Sequence, residues 1–411
     1  MQLRPFRALR PAPAVAARVV SPPYDVVTRG EASALAAGEP MCFLHVVRSE
    51  IDLPDDVDAH DQRVYARARR NLEDLCARGV LVRDADPALY VYREIMDGRA
   101  QVGVVGCVSV ADDERDVIRK HERTRPDKED DRTRHILSLE AHAEPVLFAY
   151  RGREEVDGLV AAAMRSPALY DLTTGDGVRH TVWRAPDAAA LVDAFARVPR
   201  AYVADGHHRS AAARRAAATL RGNGPRREDA EHEWFPAALC PADRLAILAY
   251  HRVVRDLGGL TAAEVLARLA RVGRLSASAT AAPPRAGSFG IYLDRRWYLL
   301  ELEPVSSDGT DPLASLDVCR LGERVLGPVL GITDQAADPR LDFAGGARGA
   351  EALAARVDAG EAALAVAMHP TSMGELMAVA DAGAIMPPKS TWFAPKLLSG
   401  FFVHSFAPSR D

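Results

Sequence analysis

The chain has 411 residues, of which 48% are hydrophobic and 27% charged, so it is long enough for two domains or one large one, each with its own core. Its formal net charge of -5 gives no overall basic field, which argues against a nucleic-acid partner and favours small anionic ligands. The five cysteines form no CxxC pair, no apolar run reaches the ~20 residues that span a bilayer, and the N-terminus lacks a signal-peptide core, so we expect a soluble cytoplasmic protein without a disulfide framework, a thiolate zinc site or a membrane segment.

The N-terminal quarter combines a rigid loop, a charged helix and a hairpin. Residues 19–26 (VVSPPYDV) predict a strand that enters a stiff loop, where Tyr24 and Asp25 are candidate substrate contacts at a pocket edge. Residues 57–78 predict an amphipathic helix that ends at Gly79. Residues 88–96 and 99–110 predict two strands, joined at Asp97-Gly98 by a tight type I′ turn.

A dense charge cluster occupies residues 111–135. Its basic residues surround a lone Glu122, which suits a carboxylate held among phosphate-binding cations, acting as a base or as a Mg²⁺ ligand. A solvated loop with helical flanks is the plainer alternative for such a run. The candidate contacts to substrate or phosphate in this cluster are Arg119, His121, Thr124, Lys128 and Arg132.

From residue 178 to 216 the pattern reads strand, helix, strand, turn, helix, which predicts a mixed α/β layer architecture. Further strands are expected at 234–240, 245–254 and 363–368, a hairpin at 288–302 that turns near Asp294-Arg295, and helices at 313–330, 350–358 and 372–382. A capping box opens another helix at Thr261 and Glu264. The loop 276–287 resembles a linker, which predicts a domain boundary between 274 and 288.

The sharpest local signal is AYVADGHHRSAAAR at residues 201–214. A short strand leads to a glycine turn and an alanine-rich helix follows at once, so the amides of the turn and the positive end of the helix face one point, where an anion would bind. The predicted phosphate or nucleotide contacts are Gly206, His207, His208, Arg209 and Ser210.

Arg209 can grip phosphate with two N–H groups, and His208 can transfer protons near neutral pH. Asp205 would repel a phosphate unless it binds a metal or takes a proton from a substrate, so Asp205 and His208 are candidate catalytic residues, and Asp205 and Glu122 are candidate Mg²⁺ ligands. The plainer alternative is a helix start capped by Asp205, with exposed histidines. No HExxH pattern accompanies the histidines, which argues against zinc.

A third candidate is the proline-bounded loop MPPKSTWFAPK at residues 386–396. A stiff loop that presents Lys389 and Ser390 suggests contact with a ligand. A strap across the core, anchored by Trp392 and Phe393, explains the same residues equally well.

Taken together, these segments closely resemble the bacterial and archaeal domain-of-unknown-function family numbered 1015 (DUF1015), in matching order and over nearly the whole chain. The segments that carry the resemblance are VVSPPYDVV (19–27), RKHERT with DR (119–132), ADGHHR (204–209), HRVVRD (251–256), DPRLDFAGG (338–346) and MPPKSTWFAPKLLSG (386–400). The DGHHR element is in turn similar to that of the ParB/sulfiredoxin-type free serine kinases, in which it binds nucleotide phosphates.

The resemblance implies a ParB/sulfiredoxin-like nucleotide module over residues 1–274, with an N-terminal elaboration, and an additional α/β domain over residues 288–411 that contributes the 386–396 loop. It implies a catalytic or metal-linked role for Asp205 and a phosphate cradle at 206–209. The catalytic role of Glu122 rests instead on its chemistry and position, because no kinase motif matches there.

The implied activity is phosphoryl transfer between ATP or ADP, with Mg²⁺, and a small hydroxyl substrate, with serine the leading candidate. A phosphatase of phosphoserine or a similar ester would use the same anion grip with water as the acceptor. A nucleotide-binding regulator like the ParB proteins is the non-enzymatic alternative, although no basic helix-turn-helix is evident.

Overall fold

The computed structural model describes residues 1–304, 311–346 and 349–407 and has a mixed α/β fold, which confirms the predicted class. The helices are α1 (Ala16–Val19), α2 (Arg29–Ala36), α3 (Leu44–Val47), α4 (Gln62–Ala77), α5 (Val110–Glu114), α6 (Pro126–Leu139), α7 (Glu154–Ala163), α8 (Ala188–Ala196), α9 (His207–Arg221), α10 (Ala262–Val272), α11 (Asp317–Leu321), α12 (Gly327–Leu330), α13 (Glu351–Asp358) and α14 (Met373–Asp381). The strands are β1 (Leu3–Arg4), β2 (Leu9–Pro11), β3 (Leu81–Arg83), β4 (Tyr90–Met96), β5 (Arg99–Ser109), β6 (Ile118–Arg119), β7 (Ala141–His142), β8 (Val146–Tyr150), β9 (Tyr170–Thr173), β10 (Arg179–Arg184), β11 (Ala201–Asp205), β12 (Trp234–Pro241), β13 (Ile247–Leu248), β14 (Tyr250–Val254), β15 (Arg274–Ala277), β16 (Ser288–Leu293), β17 (Arg296–Glu301), β18 (Leu341–Gly345), β19 (Leu364–Ala367), β20 (Trp392–Phe393) and β21 (His404–Ser405). No helix of these ranges is long and apolar enough to cross a membrane.

The chain divides into two compact units. The first contains residues 1–119, 124–245 and 395–411, and the second contains residues 120–123 and 246–394. The linker-like stretch expected at 276–287 therefore lies inside the second unit, and the predicted domain ranges stay a prediction.

A mixed nine-stranded sheet forms the centre of the first unit, in the order β6-β11-β8-β12-β5-β4-β10-β9, with β1 paired to β5. Strand β11 runs parallel to β6 and antiparallel to β8. Fully buried side chains such as Val104, Phe148, Val203 and Leu239 build the core on this sheet, because these strands are apolar on both faces.

The chain end belongs to this first unit. Strand β21 pairs antiparallel with β7, and Val403 exchanges backbone hydrogen bonds with Leu9. Ser399 exchanges backbone hydrogen bonds with Ser21 in the same way. Residues 395–407, which we call the C-terminal strap, are thus held against two N-terminal segments of the unit.

The second unit contains a six-stranded antiparallel sheet in the order β15-β17-β16-β19-β14-β18. Buried Val253, Tyr292, Leu353 and Ala365 belong to its core. Strand β13 pairs separately with β20.

Local sequence rules account for several of these elements. Asp97 and Gly98 have φ angles of 51° and 75°, so the predicted type I′ turn between β4 and β5 is confirmed. The capping box of α10 at Thr261 and Glu264 is also confirmed. Helix α4 begins later than predicted, at residue 62, because the Asp61 side chain accepts a hydrogen bond from the Arg63 amide and fixes the helix start there.

One expected helix needs revision, and one expected loop is partly helical. The helix expected at 313–330 consists of α11, a π-helical turn at 322–326 and α12. The 111–135 charge cluster has helix on both flanks, and its second half is α6, which begins at Pro126 because proline is well accommodated at the first helical position.

Candidate functional site

The strand, turn and helix predicted at residues 201–214 are confirmed as β11, Gly206 and α9. Gly206 adopts the left-handed conformation, with φ 96° and ψ 35°. A Cβ atom at this position would lie 2.8 Å from Nε of Arg209, so the turn requires glycine for its backbone angle and for this close approach. The first amides of α9 therefore follow directly on the carboxylate that ends β11.

Arg209 lies on the first turn of α9 and is 8% exposed. Its Nη2 donates to Asp205 Oδ2 at 2.8 Å, and its Nη1 donates to the Pro145 carbonyl. Nε is buried without a hydrogen-bond partner within the described ranges. Most buried N–H groups in proteins have a hydrogen-bond acceptor, so Arg209 can donate one more hydrogen bond than its described neighbours accept.

A lysine from the C-terminal strap completes the ion cluster. Lys396 Nζ lies 2.5 Å from Asp205 Oδ1, so each oxygen of Asp205 faces a different cation. Burial alone would raise the pKa of Asp205, but Lys396 and Arg209 outweigh it and lower the pKa to about 2. Asp205 is therefore ionised at neutral pH.

Glu144 is a second carboxyl group near Arg209, and it is buried. Its Oε1 accepts hydrogen bonds from Ser399 Oγ at 2.5 Å and from the Tyr24 amide at 3.3 Å. Burial raises the pKa of Glu144, although Arg209 and the Ser399 hydroxyl oppose the shift.

Arg132 on α6 has an environment like that of Arg209. Its Nε and Nη2 donate to Asp131 Oδ2 at 2.9 and 2.7 Å, and its guanidinium carbon lies 4.1 Å from the centre of the Tyr24 ring. Asp131 also accepts from the Tyr65 hydroxyl and contacts His60. Nη1 of Arg132 is buried and has no hydrogen-bond partner in the part of the chain that the structure describes.

A cavity lies where these groups converge. Its empty space is about 360 Å³ when open solvent is included. The lining includes Arg132, Arg209, Glu144, His135, His142 and Phe235.

The first unit also contains other residues that were predicted to contact phosphate or substrate. His207 is buried, and Nε2 of His208 accepts a hydrogen bond from the Arg125 amide at 3.1 Å, so this nitrogen carries no proton. The Ser210 hydroxyl donates to buried Asp113 at 2.8 Å. Asp25 is exposed.

The remaining candidates in the charge cluster have local environments. Arg119 ends β6, where it pairs in register with Tyr202 of β11. Thr124 donates its hydroxyl to Glu129, and Lys128 is half-buried on α6. Their proposed contacts with substrate stay predictions.

Four predicted residues belong to the second unit. The His121 carbonyl accepts from the Met386 amide at 2.8 Å, and Glu122 follows it in the same short segment. The Lys389 carbonyl accepts from Arg252, and the Ser390 hydroxyl donates to the Pro387 carbonyl. The roles of these residues in a common pocket with residues 205–209 stay predictions.

Sequence reasoning missed Lys396, Glu144 and Ser399 as partners of the cluster. Lys396 lies in the 386–396 loop that the sequence predicts to contact a ligand, but the residues predicted there are Lys389 and Ser390. No local pattern identifies Glu144, whose proximity to Arg209 depends on the placement of β8.

The Mg²⁺ assignment can be tested against the ligand atoms of Asp205. Both oxygens of Asp205 accept from cations in this arrangement, so a metal ion could bind there only if Lys396 moved away. The role of Asp205 as a metal ligand therefore stays a prediction.

Comparison with known proteins gives one family and several distant structures. The family model described as "Protein of unknown function (DUF1015)" matches residues 3–319. No curated protein is significantly similar to the chain.

Three solved structures illustrate the structural comparison. A conserved hypothetical protein from Pyrococcus furiosus is 14% identical with a TM-score of 0.36, and the match covers 71% of this chain and 92% of that one. A free serine kinase in complex with AMP is 12% identical with a TM-score of 0.36, covering 71% and 87%. SbnI from Staphylococcus aureus, with a C-terminal truncation, is 13% identical with a TM-score of 0.39, covering 75% and 90%.

Proposed function

Because the chain belongs to the DUF1015 family, whose description assigns no activity, its chemistry must be inferred from its own residues, and we propose that it is a nucleotide-dependent phosphotransferase acting on a small hydroxyl substrate. Within this class, a free serine kinase-like enzyme is the best match to the DGHHR element. The proposal includes ATP or ADP as co-substrate and Mg²⁺ as the ion that accompanies the nucleotide phosphates.

The observation that carries the proposal is the cation pair around Asp205 at the start of α9. Arg209 and Lys396 bring two positive charges to one carboxylate, and the amides of α9 open beside it. A helix terminus with adjacent cations suits the phosphates of a nucleotide, which carry several negative charges. A phosphate that enters would compete with Asp205 for the same two cations.

The low pKa of Asp205 bears on its role. A carboxylate with a pKa of about 2 is a weak base at neutral pH, so we assign Asp205 to holding Arg209 and Lys396 in place. The proton of the acceptor hydroxyl would then pass to Glu122 or His208. For His208 this requires that its Nε2 first release the hydrogen bond that it accepts from the Arg125 amide.

Transfer is tested by phosphorus NMR of the purified protein with Mg²⁺, ATP or ADP, and a panel of hydroxy amino acids that includes phosphoserine. A new phosphoester signal that requires the nucleotide supports the kinase. Release of inorganic phosphate from phosphoserine without nucleotide would favour the phosphatase, and nucleotide binding without any transfer would favour a regulator.

The role of Arg209 in binding phosphate is tested by measuring nucleotide affinity by calorimetry for Arg209→Lys. This variant keeps the positive charge but loses the paired N–H donors of the guanidinium group. We expect nucleotide affinity to fall at least about tenfold, the worth of one charge-assisted hydrogen bond. Arg214→Lys is the matched control, because it makes the same change on the same helix, at a side chain that is 39% exposed, and keeps the positive charge beside Asp113. Unchanged affinity in a folded Arg209→Lys protein would refute the grip.

A further inference from the structure

Two buried histidines meet where the C-terminal strap pairs with the rest of the first unit. His404 of β21 stands opposite His142 of β7 in the antiparallel register. Their imidazole rings stack with a centroid distance of 5.9 Å and an angle of 6° between the ring planes. The ring of Phe406, which also belongs to the strap, lies 5.7 Å from that of His142. The strap therefore covers His142 with two of its own rings.

The hydrogen bonds of His404 provide no acceptor for a second proton. Its Nε2 lies 2.7 Å from a carboxylate oxygen of Glu231, which Arg4 also contacts. Burial opposes the ionisation of Glu231, but His404 and Arg4 outweigh it and lower its pKa, so this carboxylate can only accept and Nε2 carries the proton of the neutral ring. Nδ1 of His404 is buried and has no hydrogen-bond partner among the described residues. A proton added there would form a buried N–H without an acceptor, which costs free energy.

The surroundings of His142 also disfavour a charged imidazole. Burial lowers the pKa of His142 well below its ordinary value of 6.5, and His404 adds to the shift. Burial lowers the pKa of His404 as well, although Glu231 opposes the shift. Two imidazolium rings this close would repel each other. Both rings are therefore neutral at pH 7 while the strap is docked.

Other charged or titratable groups lie around the pair. Arg4 and Arg83 act on His404, and the residues that line a common cavity with His142 are Arg132, His135, Glu144 and Arg209. Glu144 is the acid among these cavity residues, and burial raises its own pKa. The arginines oppose a further positive charge on either imidazole.

We propose that the His142–His404 pair is an acid-sensitive latch, which holds the C-terminal strap while both imidazoles are neutral and releases it when they are protonated. Release would expose both rings to water, where imidazole binds a proton readily below about pH 6.5. Because the same strap carries Lys396, release would also withdraw this cation from Asp205. The inference concerns the docking of the strap and does not rest on the proposed function.

The pH dependence of release has a defined sign. The docked strap keeps His142 neutral, whereas a detached strap allows it to bind a proton below about pH 6.5, so acid favours detachment. Between about pH 7.5 and 5.5, one such histidine raises the ratio of detached to docked molecules about tenfold. His404 adds up to about tenfold more, according to how far its own pKa is lowered.

Hydrogen exchange of the full chain, measured by mass spectrometry at about pH 7.5 and 5.5, tests the latch. The amides of Ser399, Val403 and Phe406 report on docking, because each donates to a backbone carbonyl outside the strap. After correction for intrinsic exchange rates, we expect their protection to fall at least about tenfold at the lower pH, while amides between β5 and β12 keep theirs. Unchanged protection of the strap, or an equal loss in β12, would overturn the inference.

A double variant assigns the effect to the pair. His142→Phe keeps a ring in the stack, and His404→Gln keeps an N–H that can donate to Glu231, but neither new side chain titrates. The protection of the strap should then no longer change between the two pH values. His135→Gln is the control and should retain the change, since His135 lines the same cavity but its ring contacts the Val46 carbonyl, outside the strap. A double variant with the full wild-type loss of protection would contradict the latch.

A measurement on the wild-type protein covers the case in which the double variant does not fold. NMR titration of the imidazole carbons gives the pKa of each histidine in the docked state. We expect His142 to stay neutral down to pH 5.5 for as long as the strap amides are protected. A pKa of His142 at or above 6.5 in a protein whose strap remains protected would overturn the inference.

Discussion

Replacing Lys396 with methionine would remove one of the two cations that keep Asp205 ionised, while retaining most of the apolar length of the side chain. The ordinary pKa of the aspartate is 3.8 and its pKa here is about 2. At ~1.4 kcal/mol per pKa unit, this difference corresponds to about 2 kcal/mol of stability. Asp205 is 20% exposed, so solvent screens the interaction only partly.

Arg209 remains in the variant and retains part of the interaction. We therefore expect Lys396→Met to lower the free energy of unfolding at pH 7 by about 1–2 kcal/mol and to raise the pKa of Asp205 toward or above its ordinary value, because burial is then opposed by one cation only.

The effect depends on pH in a defined direction. A carboxylate whose pKa is lowered by folding contributes stability that is fully present above pH 3.8 and is lost as pH falls toward 2. In the variant this contribution is smaller, so the stability difference between the two proteins should shrink as pH falls below about 4. Other acids titrate in both proteins and cancel in the difference.

Urea unfolding from pH 7 to pH 3 measures the difference, and carbon-detected NMR of the Asp205 carboxyl measures its pKa directly. Lys396→Arg is the control, since it keeps the charge and should leave the pKa low. An Asp205 pKa that stays near 2 in Lys396→Met would refute the assignment of Lys396 as a main cause of the low pKa.

Two further predictions concern backbone strain and a buried acid. Gly206→Ala should destabilise the protein by at least about 1–2 kcal/mol in urea unfolding, because a non-glycine residue is strained in the left-handed conformation. The new Cβ atom would also displace the Arg209 guanidinium. A loss of stability under about 0.5 kcal/mol would contradict this prediction. Burial raises the pKa of Glu94 to about 8, so the folded state holds a proton that the unfolded state has lost, and stability should fall as pH rises from about 4.5 to 8. Glu94→Gln should flatten that part of the curve of unfolding free energy against pH, and an unchanged slope would rule out this origin.

The elements that the sequence predicted well are those fixed by neighbouring residues. The strand, Gly206 and helix of the candidate site follow from an apolar run, a glycine and an alanine-rich stretch within fifteen positions. The Asp97-Gly98 turn and the α10 capping box have similarly local causes. Each of these rules operates over a few residues and needs no knowledge of the fold.

The parts that the sequence did not predict depend on distant contacts. Asp205 and Lys396 are 191 residues apart, and Glu144 and Ser399 are 255 apart. Neither pair has a periodicity or spacing that links its members. The proline-bounded loop at residues 386–396 is evident from the sequence, but only the folded structure shows that its last residue, Lys396, is the one that reaches Asp205.

The C-terminal strap therefore couples folding of the first unit to the charge of its candidate site. The strap is held by backbone pairing of Ser399 with Ser21 and of Val403 with Leu9. It also supplies two side chains to the candidate site: Lys396 contacts Asp205, and the Ser399 hydroxyl donates to Glu144. If the strap detached, Asp205 would lose a cation and Glu144 would lose a hydrogen-bond donor. The proposed anion site is assembled from segments far apart in sequence, so it requires that the N-terminal loop, α9 and the strap have all docked.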